Sequence, residues 1–237
     1  MNDLPAAAAA TEVQEECPKC LKPASLCVCE GIERIANRVA LLILQHPQEQ
    51  DKALGTARLT ALHFNNATFK VGLSWPSLAK ALGRPADPKR WATLYLGSAD
   101  PAALGQGQEI LALDAKNKPL PDQETAVAGI EGVILLDGTW SQAKTLWWRN
   151  AWLLKSRRVA LAPKRPSLYG KLRREPRREG LSTLEAAGLL LSRLEGRPEI
   201  ETALVASFDR LLTRYRELPK TARPAAGATR GRGARRR

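Results

Sequence analysis

The sequence predicts an α/β protein with a mostly parallel sheet, and two observations lead to that prediction. Short apolar runs of strand length recur along the chain, and stretches with apolar residues at helical spacing separate them. Strands that alternate with helices in this way are typical of a parallel sheet covered by helices. With 237 residues, 44% of them hydrophobic, the chain is long enough for one sizeable domain with short appendages.

The N-terminal residues 1–14 are rich in alanine and have polar ends, so we expect a disordered lead-in. They show no basic region followed by an apolar core, which a secretory signal would need. No apolar run of the chain approaches the roughly 18 residues of a membrane span. We therefore expect a cytoplasmic protein that has no membrane partner.

Residues 15–35 contain four cysteines in the pattern C-x2-C-x6-C-x-C, namely Cys17, Cys20, Cys27 and Cys29. The Cys-x2-Cys spacing lets two thiolates bind one tetrahedral ion, and the second pair supplies two more ligands. The pattern predicts a small zinc-binding segment with a structural role. An iron–sulfur cluster, free thiols and a disulfide pair are the alternatives.

The main domain is predicted over residues 36–218. Its expected strands are residues 39–45, 91–96, 110–113, 133–136 and 159–162. Its expected helices are residues 52–62, 76–82, 140–148, 182–194 and 199–218. The last helix has one apolar face, which indicates packing against the core.

The stretch from Val133 to Trp148 joins a buried strand, Asp137-Gly138 and the start of a helix. Thr139 and Gln142 form a Thr-x-x-Gln capping box at that start, and Ser182 and Glu185 form a second box downstream. Asp137 therefore lies at the carboxyl end of a strand, where open parallel sheets bind ligands beside helix N-termini. The alternative is a turn residue chosen to precede glycine.

The net charge of +13 and the pI of about 10.0 point to a polyanionic partner, nucleic acid before membrane. Residues 155–179 are densely basic, and their prolines together with Tyr169 predict a loop surface suited to phosphate backbones. Residues 219–237 carry seven Lys and Arg and no acid, which predicts a disordered arm that binds RNA.

Motifs of several common enzyme classes are absent from the sequence. It has no G-x-S-x-G, P-loop or G-x-G-x-x-G pattern, and Gly105-Gln-Gly107 lacks the third glycine. His46 follows a predicted strand, where a functional role is open, whereas His63 at a helix end is expected to be packed or solvated. Neither histidine has partners at metal-ligand spacing.

With Asp137-Gly-Thr-Trp140 and the downstream Leu181-Ser-Thr-Leu-Glu-Ala186, the chain resembles the DTW-domain family, which is named for its Asp-x-Thr-Trp motif. The order of the cysteine cluster, a His46-Pro47-x-Glu49 element, these two motifs and the basic loop also fits, over about residues 17–195. One departure is visible, because residues 55–59 lack the Asn that usually precedes Thr in the family.

This resemblance implies a tRNA-uridine aminocarboxypropyltransferase. Such an enzyme moves the 3-amino-3-carboxypropyl group of S-adenosylmethionine to N3 of a tRNA uridine and releases methylthioadenosine. The resemblance also implies a SPOUT-like fold with a knotted C-terminal part, a topology that is otherwise rare. Asp137 would take the N3 proton or anchor the ammonium group of the cofactor. An unperturbed Asp, with a pKa of about 3.9, is a weak base near pH 7, so the first role requires a shift by burial.

The implied cofactor site surrounds the two helix starts. Its expected residues are Leu96, Leu135, Gly138, Thr139, Trp140, Ser182, Thr183 and Leu184. The leucines would wall the adenine, the helix N-termini suit the carboxylate, and Trp140 either stacks on a ligand or packs the helix. Arg173, Arg174, Arg177 and Arg178 would hold tRNA phosphates.

Three other functions compete with this one. An RNA methyltransferase would use the same cofactor and differ only in which carbon is presented to the base. A non-catalytic RNA-binding protein would use the cysteine segment and the basic surfaces alone. A DNA-binding regulator is the third, but DNA is not an expected partner, because the sequence has no helix-turn-helix with a basic recognition helix and no zinc finger with paired histidines.

Overall fold

The computed structural model describes residues 15–50, 52–94, 109–172, 180–221 and 223. Several predictions lie outside these residues. They concern the lead-in, the end of the strand predicted over 91–96 with Leu96, the Gly105-Gln-Gly107 pattern, Arg173, Arg174, Arg177 and Arg178, and most of the basic tail.

The described residues form a six-stranded sheet with helices on both faces. The strands are β1 (Ala40–Gln45), β2 (Ala67–Val71), β3 (Trp91–Leu94), β4 (Ile110–Leu113), β5 (Gly132–Asp137) and β6 (Arg157–Leu161). The helices are α1 (Ala57–Leu62), α2 (Leu78–Leu82), α3 (Gln123–Val127), α4 (Trp140–Arg149), α5 (Thr183–Glu195) and α6 (Pro198–Glu217).

The strand order is β2-β1-β5-β3-β6-β4. Every neighbouring pair is parallel except β4 and β6, which pair antiparallel at one edge. The predicted α/β fold with a mostly parallel sheet is therefore confirmed. The knotted C-terminal part stays a prediction.

Alternate residues of the central strands supply two separate cores. Leu41 and Ile43 of β1 pack with α1, α5 and α6, whereas Leu42 and Leu44 pack on the other face with α2 and Trp152. Burial on both faces explains why β1 and β5 are apolar runs without alternation. Gly132, at the start of β5, leaves room for Trp91 of β3, because a Cβ there would lie 2.5 Å from the indole ring.

The helix predicted over residues 52–62 is wrong in its first half, since α1 begins at Ala57. The backbone carbonyls of residues 53–55 instead accept hydrogen bonds from side chains that are distant in the sequence. The Nζ of Lys22 donates to the carbonyls of Ala53 and Gly55 at 2.7 Å each, and the Tyr169 hydroxyl donates to the carbonyl of Leu54 at 2.7 Å. These tertiary bonds satisfy the backbone in a turn, where a local reading of helix propensity expects helical bonds.

Tyr169 departs from the loop surface that was predicted for the basic stretch, because it is buried. Its side chain is 2% exposed and packs edge-on against Phe208 of α6, with ring centroids 4.8 Å apart. The strand predicted at residues 159–162 of the same stretch is confirmed as β6, which begins two residues earlier and lies inside the sheet. Two further elements, β2 and α3, were not expected from the sequence.

His63, just after α1, is packed inside the protein. The residue is 2% exposed, and neither ring nitrogen has a hydrogen-bond partner among the described residues. Burial, with a smaller contribution from the nearby Arg210, lowers the pKa of this imidazole to about 4. His63 is therefore neutral in the folded protein at pH 7.

We expect the folded protein to lose stability as the pH falls from about 6.5 towards 4, because unfolded His63 binds a proton in that window and folded His63 does not. A shift of this size corresponds to about 3 kcal/mol of unfolding free energy at most. His63→Leu should remove this share of the pH dependence. Urea unfolding of both proteins at about pH 7 and about pH 4.5 measures it, and equal losses in both would contradict the role of His63.

Candidate functional site

The site is centred on Asp137, at the carboxyl edge of the sheet. Asp137 ends β5 and lies beside Gln45, which ends β1. The Nε2 of Gln45 donates to Oδ2 of Asp137 at 2.8 Å, and the Thr183 hydroxyl donates to Oδ1 in a short hydrogen bond. The neighbouring strand and the start of α5 thus fix the direction of one carboxylate.

Two helix N-termini lie close to this carboxylate, and each begins at a predicted capping box. The Thr139 backbone N–H donates to Gln142 Oε1 at 2.6 Å, and the Thr139 hydroxyl accepts from the Gln142 N–H at 3.4 Å. Gly138 is required there, because a Cβ would lie 2.8 Å from the Gln142 side chain. Both predicted capping boxes are confirmed. The start of α5 thus contacts the Asp137 carboxylate through Thr183, and the start of α4 follows Asp137 directly in the chain.

Glu185, in the first turn of α5, connects this site to the basic stretch. Its carboxylate accepts from the Ser182 backbone N–H at 2.8 Å, the Ser167 hydroxyl at 2.7 Å and the Leu168 backbone N–H at 2.8 Å. Glu185 itself is 7% exposed. The position of residues 167–168 is thereby tied to the start of α5, and through Thr183 to Asp137.

A small depression lies next to Gln45 on the β1 side. Gln45, Glu49, Lys52 and Arg58 are among the residues that line it. Glu49 and Lys52 form a salt bridge of 2.5 Å, whereas the Arg58 guanidinium lies over the Phe69 ring, 4.8 Å from its centroid. The sequence did not single out Gln45, Lys52 or Arg58. The only local signal for Gln45 was a polar residue at the end of a buried apolar strand.

His46 follows Gln45 and opens the His-Pro-x-Glu element. Its Nδ1 accepts a hydrogen bond from the Gln48 backbone N–H at 3.3 Å. Burial lowers its pKa below the usual value, against an opposing effect of Glu49. Burial therefore favours the neutral form of His46. The side chain of Gln142 reaches Gln48 at 3.2 Å, so this element lies against the start of α4.

The predicted cofactor residues are brought together only in part. Ser182 caps α5, Thr183 is its first residue, and Gly138, Thr139 and Trp140 follow Asp137 directly. Leu135 and Leu184 are 2% and 0% exposed and belong to the main core. A ligand contact by either leucine would need a rearrangement of that core. The site roles of all these residues stay predictions.

The four cysteines form one compact cluster. Their Sγ atoms all lie within 4.8 Å of one another, with 3.9 Å between Cys17 and Cys29 and 3.8 Å between Cys20 and Cys27. Four sulfurs at about 2.3 Å from a tetrahedral zinc ion would be about 3.8 Å apart. These distances are too long for disulfide bonds, so the cluster fits one four-thiolate metal ion.

Without a cation the cluster resists full ionisation. Burial raises the pKa of Cys20 to about 11, and it also raises the pKa of Cys29. Burial acts in the same direction on Cys17, but backbone N–H groups outweigh it and bring the pKa of Cys17 down to about 7. A divalent ion would supply the positive charge that four neighbouring thiolates need.

The cysteine segment packs directly on the main domain. Leu26 and Val28 are 0% and 2% exposed and join the core under α5 and α6. The Arg210 side chain donates to the Gly31 carbonyl at 2.8 Å, and Arg214 donates to the carbonyl of Cys27. With Lys22 bound to residues 53 and 55, the segment contacts both α6 and the turn beside Gln45.

The comparison with protein families gives one match. Residues 14–216 match the family model of the DTW domain. No solved structure matches the chain. Within the part of the chain that is described, no helix is long and apolar enough to cross a membrane.

Three similar curated proteins carry the name tRNA-uridine aminocarboxypropyltransferase 2. The Macaca fascicularis protein is 29% identical over 204 residues, which are 83% of this chain and 62% of that protein. The Drosophila melanogaster protein is 29% identical over 197 residues (81% and 71%), and the Mus musculus protein is 30% identical over 204 residues (84% and 63%). The match thus spans just over three fifths of the two mammalian relatives.

Proposed function

The chain belongs to the DTW domain family, and on that premise we propose that it is a tRNA-uridine aminocarboxypropyltransferase. The observation that supports this best is the Asp137 carboxylate, held by Gln45 and Thr183 where two helix N-termini meet. The names of the three relatives support the same activity. S-adenosylmethionine is the proposed donor and N3 of a tRNA uridine the proposed acceptor.

In the proposed reaction the protein has to position the cofactor and the uridine, and it does not have to supply a strong nucleophile. The sulfonium carbon of the aminocarboxypropyl group loses its bond to sulfur as the bond to N3 forms, and methylthioadenosine leaves with the sulfur electron pair. The N3 proton passes to a base. All three carbons on the sulfonium can react, so the orientation of the cofactor decides which one meets the uridine.

Asp137 is the proposed proton acceptor, with the anchoring of the cofactor ammonium as its other candidate role. Gln45 and Thr183 both donate to its carboxylate, so its orientation is set before the substrate arrives. The N-termini of α4 and α5 supply N–H groups suited to the cofactor carboxylate. Gly138, Thr139, Trp140, Ser182 and Thr183 are the neighbours that would contact the cofactor.

The remaining parts of the proposal concern zinc and RNA. Cys17, Cys20, Cys27 and Cys29 would hold a structural zinc ion, which the spacing of their sulfurs supports. Arg173, Arg174, Arg177 and Arg178 would bind tRNA phosphates, together with the basic tail.

The test is mass spectrometry of nucleosides from tRNA incubated with the purified protein and S-adenosylmethionine, with Asp137→Ala in parallel. The proposal expects a uridine that carries the aminocarboxypropyl group with the wild type and none with the variant. A methylated base would instead assign the protein as an RNA methyltransferase. An unchanged nucleoside profile despite salt-dependent tRNA binding would indicate a non-catalytic RNA-binding protein.

A further inference from the structure

We propose that the outer face of α4 is an RNA-binding surface that stacks an unpaired base of the substrate on Trp148. This inference rests on the proposed function, because it assigns part of the tRNA contact to residues beside the same site. The α4 face is defined here as Trp140, Lys144, Trp148 and Arg149, with Lys155 in the short helical turn that follows.

The exposure of Trp148 is unusual for its residue type and for its helix. Trp148 is 77% exposed, whereas Trp152, a few residues later, is 7% exposed. The indole N–H of Trp152 donates a hydrogen bond to the Trp75 carbonyl at 2.9 Å. Helix α4 is anchored by other residues, since Ala143 and Leu146 are its buried side chains. Trp148 is therefore not needed for packing, and its exposed indole is free to stack on a flat ligand such as a base.

Cations accompany this indole, and acids are absent from the surrounding sequence. Residues 138–172 contain eight Lys and Arg and no Asp or Glu. Lys144, Arg149 and Lys155 are exposed, and the Lys144 ammonium lies over the Trp140 ring, 5.4 Å from its centroid. Exposed aromatic rings between cations are typical of proteins that bind single-stranded RNA, where the rings stack on bases and the cations hold phosphates.

The side chains of the α4 face also form a path that leads away from Asp137. Trp140, Lys144 and Trp148 recur every four residues, so they form one stripe along α4. Helix α4 starts three residues after Asp137, and eight residues of helix span about 12 Å. RNA whose uridine is at Asp137 can therefore extend along the stripe to Trp148. Stacking on Trp148 needs a base that is free of its own helix, so the expected substrate region is a single-stranded loop.

The test compares the full-length wild type with Trp148→Ala and Trp148→Phe. The probes are a single-stranded 12-nucleotide oligouridine and a 12-base-pair RNA duplex. We expect Trp148→Ala to weaken oligouridine binding about tenfold to a hundredfold, with little change for the duplex, and Trp148→Phe to restore most of the loss. The same alanine variant should raise KM for tRNA and leave kcat nearly unchanged. Far-ultraviolet circular dichroism checks that both variants fold.

A charge control uses two exposed arginines on opposite faces of the sheet. Arg149→Ala should weaken oligouridine binding and reduce its salt dependence, whereas Arg216→Ala, on α6, should change both less. Equal oligouridine affinity of wild type and Trp148→Ala would overturn the inference, as would equal weakening for oligouridine and duplex. A change in oligomeric state in place of RNA affinity would overturn it too, and would assign the α4 face to a protein contact.

The outcomes separate this inference from the proposed function. If tRNA gains the aminocarboxypropyl group and Trp148→Ala reacts like the wild type, the function stands and the α4 surface fails. If the wild type modifies no tRNA but loses oligouridine affinity on Trp148→Ala, the surface stands and the proposed reaction fails.

Discussion

Asp137→Asn should slow transfer of the aminocarboxypropyl group about a hundredfold to ten-thousandfold, the range typical of a lost general base. The amide keeps the size of the carboxylate but cannot accept the N3 proton. It also places an NH₂ group against one of two donors, the Gln45 amide or the Thr183 hydroxyl. Single-turnover rates with saturating tRNA and S-adenosylmethionine measure the effect.

The affinity for S-adenosylmethionine separates the two candidate roles of Asp137. A proton acceptor predicts an unchanged dissociation constant in Asp137→Asn, whereas an ammonium anchor predicts weaker binding together with the slower rate. Thr183→Val and Thr183→Ser form the matched pair of controls, because serine keeps the hydroxyl that orients Asp137 and valine removes it. A fully active Asp137→Asn protein would rule out both roles.

Loss of the proposed metal should strongly destabilise the protein. We expect Cys20→Ser to abolish stoichiometric zinc binding and to release the packing of Leu26 and Val28. Each buried aliphatic side chain contributes about 1.5–3 kcal/mol, so the free energy of unfolding should fall by about 3–6 kcal/mol. Elemental analysis gives the metal content, and urea unfolding gives the stability.

The same experiment reports on the link to the site. Because Lys22 holds the turn beside Gln45, amide exchange should accelerate over residues 53–58 as well as in the cysteine segment. Ser25→Ala, at an exposed position of that segment, should change neither metal content nor exchange. Iron and sulfide in the purified protein would instead indicate an iron–sulfur cluster. If wild-type protein from which a chelator has removed the metal has the same free energy of unfolding as the protein as purified, the metal has no structural role.

The elements that could be predicted are those whose local sequence pattern matches the environment that they occupy in the folded protein. β1 and β5 are apolar on both faces because helices cover both sides of the sheet, so their runs were evident from the sequence. The capping boxes of α4 and α5 also depend only on residues three positions apart. Asp137 could be identified for this reason, since it lies between a strand and a helix that each have a strong local pattern.

The elements that could not be predicted depend on distant partners. β2 is an edge strand with half-exposed residues and a lysine, so its composition resembles a loop. The turn at residues 53–55 replaces helix because Lys22 and Tyr169 bind its carbonyls from far along the chain. Gln45 lies beside Asp137 only because β1 and β5 are neighbours in the sheet, and no local pattern encodes that pairing.

The hydrogen bonds of Glu185 restrict which sequences this fold can use. Its two carboxylate oxygens accept from three donors that belong to two separate stretches of chain. Aspartate is one methylene shorter, and glutamine has only one acceptor oxygen, so neither can serve all three donors. Position 185 therefore has no conservative replacement. Proteins that share these three hydrogen bonds are therefore expected to keep glutamate at this position.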